Sequence, residues 1–261
     1  MIDNSAPADP HLTDAAAIAC VRAYALLATA QTDGQAVRTG STTRIVTGVP
    51  MALLNGVFHT DVPADPQAVA AQIRSESFGD LPWSIQVRGR DTDPLLEKEA
   101  GAHGLGQRHD ITFMTRDLSD ADAAFRPDDG VVVRPLTGTE SAMFLRLVAA
   151  GFEAPQEIFA RFATPAVLDH PAMHAYVTEV DGIPVASSFG VHLDGLVGVF
   201  NIAVPPEHRR RGYARTATAA VLRAARIDGA RAAYLHPTPA GLPVYLGMGF
   251  RTAEHWTAFS R

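Results

Sequence analysis

Asn201-Ile-Ala-Val-Pro-Pro-Glu-His-Arg-Arg-Arg-Gly-Tyr-Ala-Arg-Thr216 is the stretch whose reading decides the fold. The run leading into it, Leu196 to Val204, is apolar and reads as a buried strand. Pro205 and Pro206 end that strand, because proline has no N–H to give a ladder. Ala214 to Asp228 is alanine-rich and free of proline and glycine, so it predicts a helix, with Gly229 as its stop. Strand, glycine-containing basic turn and helix together suit an anion. The first amides of a helix lack internal partners, and the helix dipole places partial positive charge there. Gly212 and Ala214 keep bulk away from the turn, while Arg209, Arg210 and Arg211 add forked cationic donors. A pyrophosphate is the expected guest.

The pattern Arg209-x-x-Gly212-x-Ala214, following a strand that ends at Val204, resembles the acetyl-CoA signature of the GNAT superfamily of N-acetyltransferases. A second stretch, Pro239-Ala-Gly-Leu-Pro-Val-Tyr245-Leu-Gly-Met-Gly249-Phe250, resembles a later motif of that family, a short helix with a tyrosine four residues before Gly-Phe. The two come in the family's order, and the gap between them fits a helix plus a strand. The resemblance covers residues 130–261. It implies an α/β (α+β) fold with a mixed, mostly antiparallel twisted sheet flanked by helices, and acetyl-CoA as acyl donor. The turn Arg209, Arg210, Arg211, Gly212, Tyr213, Ala214 and Arg215 would hold the CoA pyrophosphate. The backbone of Ile202, Ala203 and Val204 would pair with the pantetheine arm like an added strand. Tyr245 stands where the family often places a general acid, and a phenol stays protonated at neutral pH. Many family members carry a glutamate on the strand before the loop. Val197-Gly-Val-Phe-Asn-Ile202 offers no carboxylate, and Gly198 stands about where one is expected. A water relay, His192, Asp194, His174 or an amine that arrives neutral are the alternatives for the base.

At 261 residues the chain has room for two domains, and with 47% hydrophobic residues it can bury a sizeable core. One cysteine, Cys20, excludes an internal disulfide framework, and no zinc-type Cys/His spacing is present; no metal is expected. No basic region followed by an apolar one opens the sequence, and no uninterrupted apolar run reaches membrane-spanning length, so a cytoplasmic protein is expected. Residues 1–130 carry 10 basic and 18 acidic side chains, against 12 and 10 in residues 131–261. An acidic first half argues against broad nucleic-acid binding.

In chain order, residues 1–12 read as a loose terminus and 15–30 as a helix. Residues 31–40 read as a polar break. Strands are expected at 42–47 and 53–59, although Asn55-Gly56 is also a hairpin-turn signal. Helix 66–77, strand 83–87, helix 95–103 and strand 111–114 follow. Residues 119–130, rich in Asp and Ala, read as a linker. The second half predicts strand 131–134, helix 139–151, a helical region 155–168 broken at Pro165, and strands 174–180 and 183–192 joined by Asp181-Gly182. Strand 196–204, helix 214–228, strand 232–236, a short helix at Tyr245 and a last strand complete it. The tail of the first half, strand–helix–Gly104-Leu105–strand, has the same order as the tail of the second. This internal repeat predicts two GNAT-like domains in tandem. Residues 1–125 would be a degenerate one that does not bind the cofactor, and 130–261 the acetyltransferase domain.

The expected function is transfer of an acetyl group from acetyl-CoA to a primary amine, directly, in a ternary complex. The acceptor would be a small-molecule or peptide amine, with no nucleic acid or membrane partner, and the protein a monomer or homodimer. Two alternatives stay open: a non-catalytic acetyl-CoA-binding or sensor protein, and a nucleotide or nucleic-acid module using the arginine cluster.

Overall fold

The computed structural model describes residues 9–261. The expected loose terminus at 1–12 thus falls mainly outside the described residues, and its last part is helical. Two compact units are present. One comprises Thr115–Arg251. The other combines residues 9–114 with Thr252–Arg261. The final strand therefore belongs with the first unit, where the sequence reading kept it with the second.

The first unit begins with α1 (Pro10–Thr29). Asp9 starts it early by accepting from the His11 amide at 2.9 Å, and Pro10 supplies a preset φ. By length and composition α1 could cross a membrane, but more than half of it is buried inside the unit, and Ala16, Ala17, Ala19, Cys20 and Ala23 face the core. β1 (Gln35–Thr39) and β2 (Thr42–Val46) form a hairpin where the sequence suggested only a polar break and one strand. β1 escapes apolar patterning because most of its residues are exposed. β3 (Asn55–His59) follows, then α2 (Pro66–Ser75), β4 (Ser84–Arg88), α3 (Pro94–Ala102) and β5 (Gln107–Asp117). Asn55-Gly56 is not a hairpin turn. It opens β3, where a Cβ on Gly56 would lie 1.8 Å from the Ser84 carbonyl oxygen. Close approach of β4 requires glycine there.

The second unit contains α4 (Asp120–Ala123), β6 (Val131–Leu136), α5 (Ser141–Phe152), α6 (Gln156–Phe159) and α7 (Pro165–Leu168). β7 (Met173–Val180), β8 (Ile183–Leu193), β9 (Leu196–Ala203), α8 (Tyr213–Ile227), β10 (Ala232–Leu235) and α9 (Leu242–Leu246) follow. The last strand, β11 (Arg251–Ser260), pairs antiparallel with β4, Trp256 opposite Arg88.

Strand order in the first unit is β1-β2-β3-β4-β11-β5, and in the second β10-β9-β8-β7-β6. The strands are mostly antiparallel and flanked by helices. Both units share one local plan. In each, a strand, a helix and a parallel strand (β3-α2-β4 and β9-α8-β10) are followed by a short helix and a further strand. In the second unit the sheet is sandwiched. Phe189 of β8 meets Phe144 of α5 with ring centroids 6.0 Å apart. On the opposite face, Gly190 lies so close to α8 that a Cβ would meet Val221 Cγ1 at 2.8 Å. Ala217, Val221, Leu222 and Ala225 are the buried stripe of α8, at helical spacing.

Candidate functional site

Residues 209–216 form the start of α8. Gly212 occupies the cap position with φ 85°, in the left-handed region, and no side chain caps the helix. Arg210 also has positive φ, 65°. The Thr216 amide, bonded to the Gly212 carbonyl at 3.1 Å, closes the first turn of α8. The amides of Tyr213, Ala214 and Arg215 precede it and are those a helix start leaves without an intrahelical partner. No acidic residue stands in this first turn, and a Cβ on Gly212 would meet nothing within 4 Å. The helix end is thus open, positive and unobstructed. Arg210 and Arg211 are exposed beside it.

Arg209 is used differently from the sequence expectation. Its Nε donates to the Val204 carbonyl at 3.1 Å and one terminal nitrogen to the Gly151 carbonyl at 2.9 Å. The other pairs with Glu153 at 2.6 Å. All three nitrogens are engaged by protein, so its side chain fastens the turn to the end of α5. Gly151 lets that end sit directly on β9, since a Cβ there would lie 2.6 Å from Ala203 Cβ.

β9 is distorted before it reaches the turn. Its register with β8 shifts between Ser187 and Phe189, and Asn201 adopts φ 48°. On its other side, β9 pairs with β10 only through Gly198 and Tyr234. Beyond that pair Phe200 to Ala203 run on without a β10 partner in the register. Ile202, Ala203 and Val204 therefore lie at a fork between two parallel strands, beside the open helix end. The Asn201 side-chain nitrogen is buried there without a hydrogen-bond partner.

Gly198 sits at the mouth of the fork, and its side-chain space is already taken. A Cβ would meet Phe200 Cε2 at 2.5 Å and Tyr234 Oη at 2.7 Å. The Phe200 and Tyr234 rings pack edge to face, 6.3 Å apart. No carboxylate side chain fits this position. His174 and His192 are not gathered here. Their rings are 4.5 Å apart on the α8 face, and His192 Nδ1 lies 3.6 Å from Asp228 at the far end of α8. A helix of this length separates them from Gly212 by about 22 Å. Burial lowers the basicity of both, His192 to about 4. Asp194 lies in the β8–β9 turn, its carbonyl accepting from Arg231 at 3.1 Å. Tyr245 lies on α9 against Phe250, ring centroids 5.8 Å apart, and burial pushes its phenol up to about 12. Among the described residues no group of three or more His, Cys, Asp or Glu is placed to hold a metal ion.

Fork, open helix start and tyrosine-bearing short helix all fall within one matched stretch of sequence, residues 142–250, which fits the sequence model described as the acetyltransferase (GNAT) family. Residues 142–250 form a GNAT domain. Solved structures agree at the level of fold. A GCN5-related N-acetyltransferase from Kribbella flavida superposes with a TM-score of 0.66 at 19% identity, over 94% of this chain and 95% of that one. A functionally unknown conserved protein from Staphylococcus epidermidis ATCC 12228 gives 0.63 at 14% identity, over 88% and 95%. A GNAT-family protein from Novosphingobium aromaticivorans DSM 12444 gives 0.54 at 18%, over 86% and 89%. No curated protein sequence matches significantly. Alignments with the first two extend well beyond the GNAT domain into the first unit.

The sequence reading had missed Phe200, Asn201 and Tyr234. All three lie in strands read only as apolar runs. Asn201, a polar residue before two prolines, was the one visible signal.

Proposed function

We propose that this protein is an acyl-CoA-dependent N-acyltransferase that moves an acetyl group from acetyl-CoA to a primary amine. The observation that carries the reading is the uncapped, arginine-flanked start of α8 beside the forked end of β9, inside the stretch that matches the GNAT family. The Gly212–Arg215 amides would bind the pyrophosphate, with Arg210 and Arg211 adding charge. Arg209 would act by holding the turn in shape. The free edge of Ile202–Val204 would receive the pantetheine amides. In the ternary complex the amine nitrogen attacks the thioester carbonyl carbon, the C–S bond breaks, and Tyr245 gives its proton to the departing thiolate. Its raised pKa keeps that proton in place until the thiolate forms. The acceptor would be a small-molecule or peptide amine and the location cytoplasmic, with the protein acting as a monomer or homodimer.

The first unit would not bind the donor. At its equivalent helix start, Asp65 caps α2 by accepting from the Gln67 and Ala68 amides at 2.8 and 3.3 Å. A carboxylate already occupies the place an anion would need.

Calorimetric titration with acetyl-CoA tests the reading. Micromolar binding is expected in the wild type and its loss in Ala214→Glu, which puts a carboxylate in the first turn. No binding by the wild type would refute the proposal. The filled space at Gly198 favours one second reading, a non-catalytic acetyl-CoA sensor. Acetyl transfer to any amine in a panel would exclude it.

A further inference from the structure

Residues 117–130, expected as a linker, form a strap packed along α8. The Leu118 amide donates to the Arg231 carbonyl at 2.8 Å, and Asp120 pairs with Arg226 at 2.9 Å. Asp122 closes a capping box with Ser119 and binds Arg116. Between this strap, the start of α8 and the end of α9 lies a cavity of about 460 Å3. Arg215 and Ala219 line it from α8, Met248 from the end of α9, and Arg116, Phe125 and Asp128 from the strap. The volume suits a small organic ligand.

The lining has a definite chemistry. Phe125 offers an aromatic face and Met248 a polarisable one, which suits a flat heteroaromatic ring. Arg116 and Arg215 bring two guanidinium groups. Arg215 spends one nitrogen on the Gly247 carbonyl at 2.8 Å and Arg116 one on Asp122. Each guanidinium has five N–H donors, so donors remain for phosphate oxygens. Asp128, exposed at the rim, can accept from an exocyclic amine. The cavity begins at Arg215, beside the amides assigned above to the pyrophosphate. CoA leaves its pyrophosphate in two directions. The pantetheine goes to β9, and the other arm must find room nearby.

We propose that this cavity takes the 3′-phosphoadenosine end of the acyl donor, with the strap residues Arg116 and Phe125 as its recognition wall. The inference rests on the acyl-CoA reading. It goes beyond it because the strap lies outside the stretch that matches the family model. It makes the donor's nucleotide end, and not its thioester arm alone, a determinant of specificity.

Calorimetry on the full chain tests it with three probes: acetyl-CoA, its 3′-dephospho analogue and adenosine 3′,5′-bisphosphate. The wild type should bind acetyl-CoA at least about tenfold more tightly than the dephospho analogue, and Arg116→Gln should abolish that gap. Phe125→Ala should weaken acetyl-CoA about tenfold, as loss of one base-stacking face does. Ala219→Trp, which fills the cavity, should abolish binding of the bisphosphate. Circular dichroism checks each fold; should Ala219→Trp unfold, the dephospho comparison and Phe125→Ala decide. Unchanged acetyl-CoA affinity in the folded variants would overturn the cavity assignment while leaving the acyl-CoA reading intact. Failure of the wild type to bind acetyl-CoA at all would overturn both.

Discussion

Gly198 shows how one missing side chain shapes the candidate site. Its place is filled from the neighbouring parallel strand by the Tyr234 hydroxyl and from its own strand by Phe200. The position is closed by packing, not merely lacking a carboxylate. Gly198→Ala should therefore destabilise the second unit by about 1–3 kcal/mol, the range of an overpacked core, seen as a lower thermal midpoint. A midpoint equal to wild type would show that Tyr234 yields easily. Tyr245 carries a different expectation. With its pKa raised to about 12 by burial, it stays a proton donor across the physiological range. Tyr245→Phe should lower kcat about 100-fold or more while leaving the acetyl-CoA Kd unchanged, a split measured by steady-state kinetics beside calorimetry. Equal loss of both would mark the tyrosine as a packing residue. The absence of a glutamate at 198 was legible from the sequence. Its cause was not, because Tyr234 is 36 residues away and reaches Gly198 only through the β9–β10 pairing.

At the scale of elements, α8 has two unlike ends. Its start is open and positive. Near its other end lies a buried pair, His174 and His192, facing Tyr176 and Asp228. Burial, the His174 neighbour and the partly offsetting Asp228 leave His192 with a folded pKa of about 4. An unfolded histidine takes its proton near pH 6.5. The neutral form is thus favoured in the fold, and the stability it contributes is intact above about pH 6.5 and lost as the pH falls towards 4. The loss is on the order of 3 kcal/mol. His192→Gln should flatten this part of the stability curve, measured by urea unfolding between pH 7 and 4.5. An unchanged slope would assign the acid sensitivity to other groups. The two helix starts also differ predictably. Asp65→Ala should cost about 1 kcal/mol of stability as a lost cap and leave acetyl-CoA affinity unaltered. A change in affinity would contradict a silent first unit. Both helices were readable from composition, and α8 from its glycine and arginines. The strap was misread because Asp, Ala and Pro also mark linkers. Its Ser119-x-x-Asp122 pattern, a capping box with Asp in place of Glu, was the overlooked sign of order. β1 was missed because exposed strands carry no apolar alternation.

Across the whole molecule, the decisive feature is where β11 goes. Glu254 forms a forked pair with Arg88 of β4 at 2.8 Å, and Asp14 of α1 joins it at 2.6 Å. Trp256 is fully buried beside Phe113, ring centroids 5.6 Å apart. Deleting residues 252–261 should therefore unfold or loosen the first unit while α8 and β9 stay ordered. Hydrogen exchange would show β4 amides losing protection and α8 amides keeping theirs, and the opposite pattern would count against the division. No local pattern could have revealed this, since β11 reads as an ordinary last strand and its partner lies more than 150 positions earlier. Synthesis adds a consequence. A ribosome makes residues in order, so Thr115–Arg251 has all its parts while the unit begun first still lacks one. The edge of β4 waits for its neighbour through the making of residues 89–260, roughly 10–35 s at ordinary elongation rates. An unpaired edge of that lifetime is an invitation to the same strand from another newborn copy, so crowding on a polysome, not the finished protein, is where exchange of β11 between molecules would begin.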